Sequence, residues 1–170
     1  MQSRRWFLIQ AAAVTSLAAY ALMSGRMRLA MAADSTPGET FAVQHSDEQW
    51  HQLLSDEAFD VLRRAGTERP YSSPLNNEHR SGRFACAGCQ LPLFSSSAKF
   101  DSGTGWPSFT APLPGAVNVS RDTTLGMERN EVHCHRCGGH LGHVFDDGPA
   151  PTGLRYCMNG VAMAFTPGTA

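Results

Sequence analysis

Residues 138–160 concentrate the side chains that can do chemistry. His140 and His143 stand three apart among glycines, and Asp146 and Asp147 follow directly. A Gly/Pro-rich turn then leads into Arg155-Tyr-Cys157-Met-Asn159. Alternate residues of an extended segment share a face. Arg155, Cys157 and Asn159 are therefore expected on one surface, with Tyr156 and Met158 on the other. An arginine beside a thiol, with two histidines close in sequence, can activate a cysteine nucleophile. Histidine titrates near neutrality, so His140 and His143 are the candidate acids or hydrogen-bond donors. The plainer alternative is a buried cysteine on a core strand with ordinary loop histidines.

The remaining cysteines bear on that choice. The chain has five. Four form two pairs, Cys86-Ala-Gly-Cys89 and Cys134-His-Arg-Cys137, with 44 residues (90–133) between the pairs. Gly88 and Gly138 lie in or just after them, where glycine lets backbone amides turn toward the sulfurs. Two such knuckles in one small domain are the signature of a structural four-cysteine zinc site. The gap exceeds that of a short zinc ribbon, so a sheet must lie between the knuckles. Two competing readings exist: a pair of redox disulfides, and a mixed site using His133 or His135. Four thiolates would leave no open position for a metal-bound water, which excludes a metal hydrolase on ligand count. Cys157 is left as the unpaired thiol. A free cysteine titrates near ~8.5 and needs stabilisation as a thiolate, which Arg155 on the same face can give.

These residues resemble the type B methionine sulfoxide reductases, which reduce the R epimer of methionine sulfoxide. The likeness spans about residues 46 to 166. It includes Gly66-Thr-Glu-Arg-Pro-Tyr71, the Cys86/Cys89 knuckle and Phe100-Asp-Ser-Gly-Thr-Gly-Trp-Pro-Ser-Phe109. It continues through Glu131-Val-His-Cys134, the stretch from Cys137 to Pro149, and Pro151-Thr-Gly-Leu-Arg-Tyr-Cys-Met-Asn159. Two departures stand out. Gly160 replaces a serine usual in the family, and Thr104 stands where many members carry a recycling cysteine.

The resemblance implies a reaction and roles. Cys157 would be the nucleophile, passing through a sulfenic acid, and His143 the closer acid partner ahead of His140. Arg155 would be paired with Asp147, and Asn159 would orient substrate or a water. Trp106, in a Gly-Thr-Gly-Trp-Pro turn, would wall the methyl-sulfur end of the substrate, with Phe109 a weaker candidate beside it. An aromatic face suits a polarised S-methyl group. Partners would be methionine-R-sulfoxide in proteins or peptides and an external, thioredoxin-like thiol reductant. The alternative is a non-catalytic zinc-bound β-tent that binds a ligand in an aromatic pocket. Such a module has no need of Cys157 with Arg155, His143 and Asn159.

The N-terminus bears on where this chemistry would occur. Ser3-Arg4-Arg5-Trp6-Phe7-Leu8 resembles a twin-arginine export motif, with Ile9 where a lysine often follows. An apolar stretch from Trp6 to Met23 breaks at Ser24-Gly25, and Ala30-Met31-Ala32 fits a small-x-small cleavage site. Residues 1–33 are thus expected to be a signal peptide directing the protein to the periplasm. The alternative is an uncleaved anchor, for which the run is near the lower length limit. That route carries folded passengers, so zinc could be loaded before the thiols meet an oxidising compartment.

Removing residues 1–33 takes away Arg4, Arg5, Arg26 and Arg28 and no acids. The 14 basic and 15 acidic residues become 10 and 15, a net −5. That balance argues against nucleic acid or an anionic membrane as partner. No stable membrane association and a monomeric state are expected after cleavage.

The elements that must position these residues follow from pattern. Residues 34–45 read as a linker and 46–170 as one domain, long enough for a real core. Ser46 and Gln49 have capping-box spacing for a first helix with Trp50, Leu53 and Leu54 inward. Ser55 is placed to cap a second helix, with Ala58, Phe59, Val61, Leu62 and Ala65 facing a core and Gly66 as its stop. Strands are expected near 83–86, 92–95, 116–123, 124–127, 130–134, 141–145, 154–158 and 161–165, with Arg129-Asn130 as a turn. The class is α+β, mainly β. The family resemblance sharpens it to two antiparallel sheets packed as a β-tent, with zinc at one edge and short N-terminal helices.

Overall fold

The computed structural model describes residues 40–169. The twin-arginine motif, the apolar stretch and the cleavage site lie outside the described residues, as does the first half of the linker.

Two short helices open the domain. In α1 (Asp47–Leu53) the Ser46 hydroxyl accepts the Gln49 N–H at 3.3 Å, and the Gln49 side chain accepts the Ser46 N–H at 2.9 Å. This is the reciprocal cap that the spacing predicted. α2 (Asp56–Arg64) is capped by Ser55, whose hydroxyl accepts the Ala58 N–H at 3.2 Å. Trp50, Ala58, Phe59, Val61 and Leu62 are buried.

Two inward assignments are corrected. Leu53 is 59% exposed and Ala65 is exposed. The cause is early termination: Leu54 is already extended, and Ala65, not Gly66, takes the left-handed conformation at φ 54°. Gly66 serves by its lack of a side chain, since a Cβ there would lie 2.3 Å from Asp60 Oδ2.

The strands form two antiparallel sheets. One has the order β2-β1-β9, built from β1 (Gly82–Cys86), β2 (Pro92–Ser95) and β9 (Met163–Pro167). The other has the order β3-β4-β8-β7-β6-β5. Its strands are β3 (Lys99–Phe100), β4 (Ser108–Phe109), β5 (Val117–Asp122), β6 (Arg129–Cys134), β7 (His140–Phe145) and β8 (Arg155–Met158). Phe84, Phe94 and Phe109 meet in the core, with Phe94 and Phe109 stacked at 4.3 Å and Phe84 edge-on to Phe109 at 5.0 Å.

The expected strand at 124–127 is a single 3₁₀ turn, Thr124–Gly126. Asp122 Oδ1 accepts both the Thr124 N–H (2.8 Å) and its hydroxyl (2.7 Å), and this local bond outcompetes strand pairing. Arg129 and Asn130, expected as a turn, instead pair in the ladder opposite Asp122 and Arg121. The last strand begins at Met163, after a 3₁₀ turn at Gly160–Ala162. β3 and β4 were not expected. They matter because β4 carries the Trp106 loop onto β8.

Candidate active site

β8 sits between β7 and β4, and register brings the chemistry together. Cys157 lies opposite His143 on β7 and opposite Ser108 on β4. Directly paired residues in antiparallel strands put their side chains on the same face. Along β8, Tyr156 and Met158 are buried in the core while Arg155 and Cys157 are partly exposed, as the alternation predicted.

The loop before β4 closes over the thiol. Thr104 Oγ1 is 3.9 Å from Cys157 Sγ. The Ser102 hydroxyl links Thr104 Oγ1 at 2.8 Å to Ser108 Oγ at 2.7 Å. Tyr71 pins this loop from outside, its hydroxyl donating to the Gly103 carbonyl (2.6 Å) and its N–H to the Gly105 carbonyl (2.7 Å). Gly105 has φ 93°, and a Cβ there would sit 2.8 Å from Pro70 Cβ. Only glycine meets both demands.

Trp106 enters the site on a second support that the sequence reading did not single out. Its indole N–H donates to the Glu68 carbonyl at 3.1 Å. The Glu68 N–H donates to Asn159 Oδ1 at 3.0 Å. Its carboxylate accepts the Gly160 N–H at 2.6 Å and the Val161 N–H at 2.9 Å. Glu68 therefore ties the Trp106 loop to the end of β8. Asn159 is buried, and its Nδ2 donates to the Leu141 carbonyl at 3.1 Å. Its amide thus bonds at both ends to backbone and joins the 66–71 segment to β7. Gly160 is closely covered, since a Cβ there would lie 2.0 Å from Ser73 Oγ and 2.5 Å from Ser73 Cβ.

The Phe109 assignment is corrected. It is fully buried in the Phe84–Phe94 stack. The alternation of β4 turns Ser108 toward Cys157 and Phe109 toward the core.

Charges around the thiol are arranged in pairs. Arg155 donates to Asp147 through Nε to Oδ1 and Nη2 to Oδ2, both at 2.8 Å. This bonding raises the guanidinium pKa and holds the Asp147 carboxyl below its usual range. The Arg155 guanidinium also lies over the Phe145 ring at 4.5 Å. Burial pushes the Cys157 thiol up, and hydrogen bonding from Thr104 and the charge of Arg155 pull it back only in part. The expectation of a thiolate held by Arg155 is thus modified: in the resting site burial outweighs the arginine.

Both histidines have carboxylate partners. His143 Nε2 is 2.8 Å from Asp122 Oδ2, and His140 Nδ1 is 2.8 Å from Glu131 Oε1. The two rings meet edge-on at 5.4 Å. Burial lowers the His143 pKa, against the opposing pull of Asp122. The Thr124 hydroxyl and N–H, then His143, hold the Asp122 carboxyl far below its ordinary value. Asp122 and Glu131 escaped the sequence reading as partners of the histidines. They lie 21 and 9 residues away along the chain, and only the β5–β6–β7 register brings them close.

The four knuckle cysteines converge elsewhere. Their sulfurs all lie within 4.8 Å of one another, with Cys86–Cys137 at 3.7 Å and Cys89–Cys134 at 3.5 Å. Tetrahedral thiolate ligation with bonds near 2.3 Å requires sulfur separations of roughly 3.8 Å, whereas a disulfide requires about 2 Å. The arrangement can hold a metal ion and contains no disulfide. The knuckles repeat one conformation: the residue after each, Gln90 or Gly138, is left-handed. In each, that residue's N–H returns to the carbonyl of the first cysteine, at 2.9 and 2.8 Å. Arg136 donates to the Cys89 carbonyl and Arg63 to the Cys137 carbonyl, each at 3.1 Å.

The chain is similar to known proteins over most of the domain. A profile of the SelR domain matches residues 54–167. A protein named peptide methionine sulfoxide reductase MsrB from Agrobacterium fabrum is 54% identical over 126 residues, covering 74% of this chain and 93% of that relative. One of the same name from Bradyrhizobium diazoefficiens is 54% identical over 123 residues, covering 72% and 88%. Another, from Methanosarcina barkeri, is 52% identical over 125 residues, covering 73% and 88%.

Proposed function

The chain belongs to the SelR domain family, and from that premise we propose that it reduces the R epimer of methionine sulfoxide to methionine. The observation that carries this reading is the placement of Cys157. It is the one cysteine outside the four-sulfur cluster, and the strand register sets it between His143 and Ser108. A ligand-binding module has no use for a thiol so placed, and that alternative is not favoured.

The reaction balances as an oxygen transfer. The Cys157 sulfur attacks the sulfoxide sulfur and forms a transient S–S bond; that bond and the substrate S–O bond then break as the oxygen moves to the Cys157 sulfur, giving a sulfenic acid. The thiol proton is transferred to that oxygen, and the thioether of methionine leaves. Two external thiols then return Cys157 to the thiol, releasing one disulfide and one water. A hydrogen bond or proton from His143 weakens the S–O bond, and the Trp106 indole walls the methyl-sulfur end. Arg155, held by Asp147, favours the charge that develops on sulfur.

The ion that Cys86, Cys89, Cys134 and Cys137 would hold is zinc, since the donor set is all thiolate and the separations suit a tetrahedron. Bound there, it would supply folding free energy and no chemistry. Oxidised proteins and peptides as substrates, a thioredoxin-like donor and a monomeric state belong to the same proposal. So does export by the twin-arginine route to the periplasm, supported by Arg4-Arg5 and Ala30-Met31-Ala32. The mass of the exported chain, trimmed or full-length, decides the last point.

The decisive assay supplies the two sulfoxide epimers separately with a dithiol. The wild type consumes the R epimer alone, and Cys157→Ser consumes neither while keeping its metal. Turnover of the S epimer, or activity surviving in Cys157→Ser, would overturn the reading.

A further inference from the structure

The hairpin between β5 and β6 reaches His143 through the Asp122 carboxylate. We propose that Asp122 is a positioning residue for His143: it holds the Nε2–H tautomer, so that Nδ1 is the nitrogen that exchanges a proton with the sulfoxide oxygen. The inference rests on the reductase reading for its functional consequence, but its structural half can be tested without turnover.

The geometry leaves one tautomer. A carboxylate only accepts, so a 2.8 Å contact between Asp122 Oδ2 and His143 Nε2 requires the proton on Nε2. Asp122 cannot turn away from this task. Its Oδ1 is fixed by the Thr124 N–H at 2.8 Å and the Thr124 hydroxyl at 2.7 Å. Its Oδ2 accepts from Arg129 Nη2 at 2.6 Å as well as from His143. The turn that displaced the expected strand at 124–127 is therefore the device that aims the carboxylate. His143 in turn lies opposite Cys157 across the β7–β8 ladder. The order Asp122, His143, Cys157 thus runs across three elements.

The surroundings of the imidazole are mixed in charge. Asp122 and Arg129 approach from the hairpin, Glu131 pairs opposite His143 on β6, and His140 and Phe145 flank it on β7. Cys157 faces it from β8. Burial is the largest influence and lowers the pKa of the ring, while Asp122 opposes it. With Nε2 already protonated, any second proton must go to Nδ1, and that N–H is the donor assigned here to the substrate oxygen.

Asp122→Asn is the informative change. An amide presents one acceptor where the site needs two, so an NH₂ must face either the Thr124 donors or the Arg129–His143 donors. The expected result is a fall in kcat of about 10- to 100-fold, the range seen when a metal-bound histidine loses its orienting partner, with little change in KM. Removing the carboxylate also lowers the His143 pKa. Because the protonated ring is the donor, the high-pH fall of kcat should move to lower pH.

The independent readout is the ¹⁵N spectrum of the His143 ring in a Cys157→Ser background. It should show Nε2–H when Asp122 is present and lose that preference in Asp122→Asn. Thr124→Val, which removes one of three bonds holding Asp122, should give a smaller change in the same direction.

Wild-type kcat and pH profile in a folded, metal-bound Asp122→Asn protein would overturn the proposal. So would an Nδ1–H tautomer in the parent protein, which needs no folded variant to observe. Failure of the wild type to reduce the R epimer would instead sink the reductase reading, while the ring spectrum would still judge the hold of Asp122.

Discussion

At Cys157 two opposing influences meet: burial favours the thiol, and the Thr104 hydroxyl with Arg155 favours the thiolate. Thr104 also decides what happens after oxygen transfer. Its hydroxyl lies 3.9 Å from Sγ, and threonine cannot form a disulfide. The other four cysteines are gathered in their own cluster. One turnover with excess sulfoxide and no reductant should therefore leave the chain one oxygen heavier, trappable at Cys157 by a sulfenic-acid reagent. Thr104→Cys should instead end as an intramolecular disulfide. Intact-mass measurement and thiol counting separate the two outcomes. A disulfide in the wild type would mean that a knuckle cysteine resolves the intermediate.

Single elements show how much of the site was readable. The helix caps at Ser46 and Ser55, the shared face of Arg155 and Cys157 and both knuckles were legible, because each signal lies within four residues. β3 and β4 were not, since two-residue strands carry no periodicity. Asp122 and Glu68 were missed for a related reason. Each is an ordinary acid in a polar stretch, and its importance comes from partners 21 residues away for Asp122 and 38 to 93 residues away for Glu68. Phe109 was misassigned because its proximity to Trp106 in sequence says nothing about which face of β4 it takes.

The Glu68 clasp makes a prediction at this scale. Glu68→Ala leaves the Gly160 and Val161 N–H groups without their acceptor. Each orphaned buried donor costs about 1–3 kcal/mol. Urea denaturation should show a loss of about 2–6 kcal/mol for the two donors together, with a lowered midpoint and an unchanged slope. Trp106 emission should also shift as its loop loosens. An unchanged midpoint would show that water replaces the carboxylate at no cost.

For the molecule as a whole, the cysteine cluster is the joint between sheets. Cys86 ends β1 in the three-stranded sheet and Cys134 ends β6 in the six-stranded one. Arg63 of α2 reaches the Cys137 carbonyl, so the helical layer is tied to the same point. Chelation should therefore loosen the sheets from each other and abolish cooperative melting, not merely lower the midpoint slightly. Calorimetry with and without chelator, alongside metal analysis expecting about one zinc per chain, checks this. A metal-free protein with the same cooperative transition would contradict it.

Another joint between distant segments constrains how this chain can exchange parts with its relatives. Gly160 and Ser73 are so close that a Cβ at 160 meets the Ser73 side chain at 2.0 Å, and trimming Ser73 to alanine still leaves 2.5 Å. The two positions are therefore sterically coupled. A chimaera that imports the 155–163 segment of a relative bearing serine at 160 must bring that relative's 66–77 segment with it.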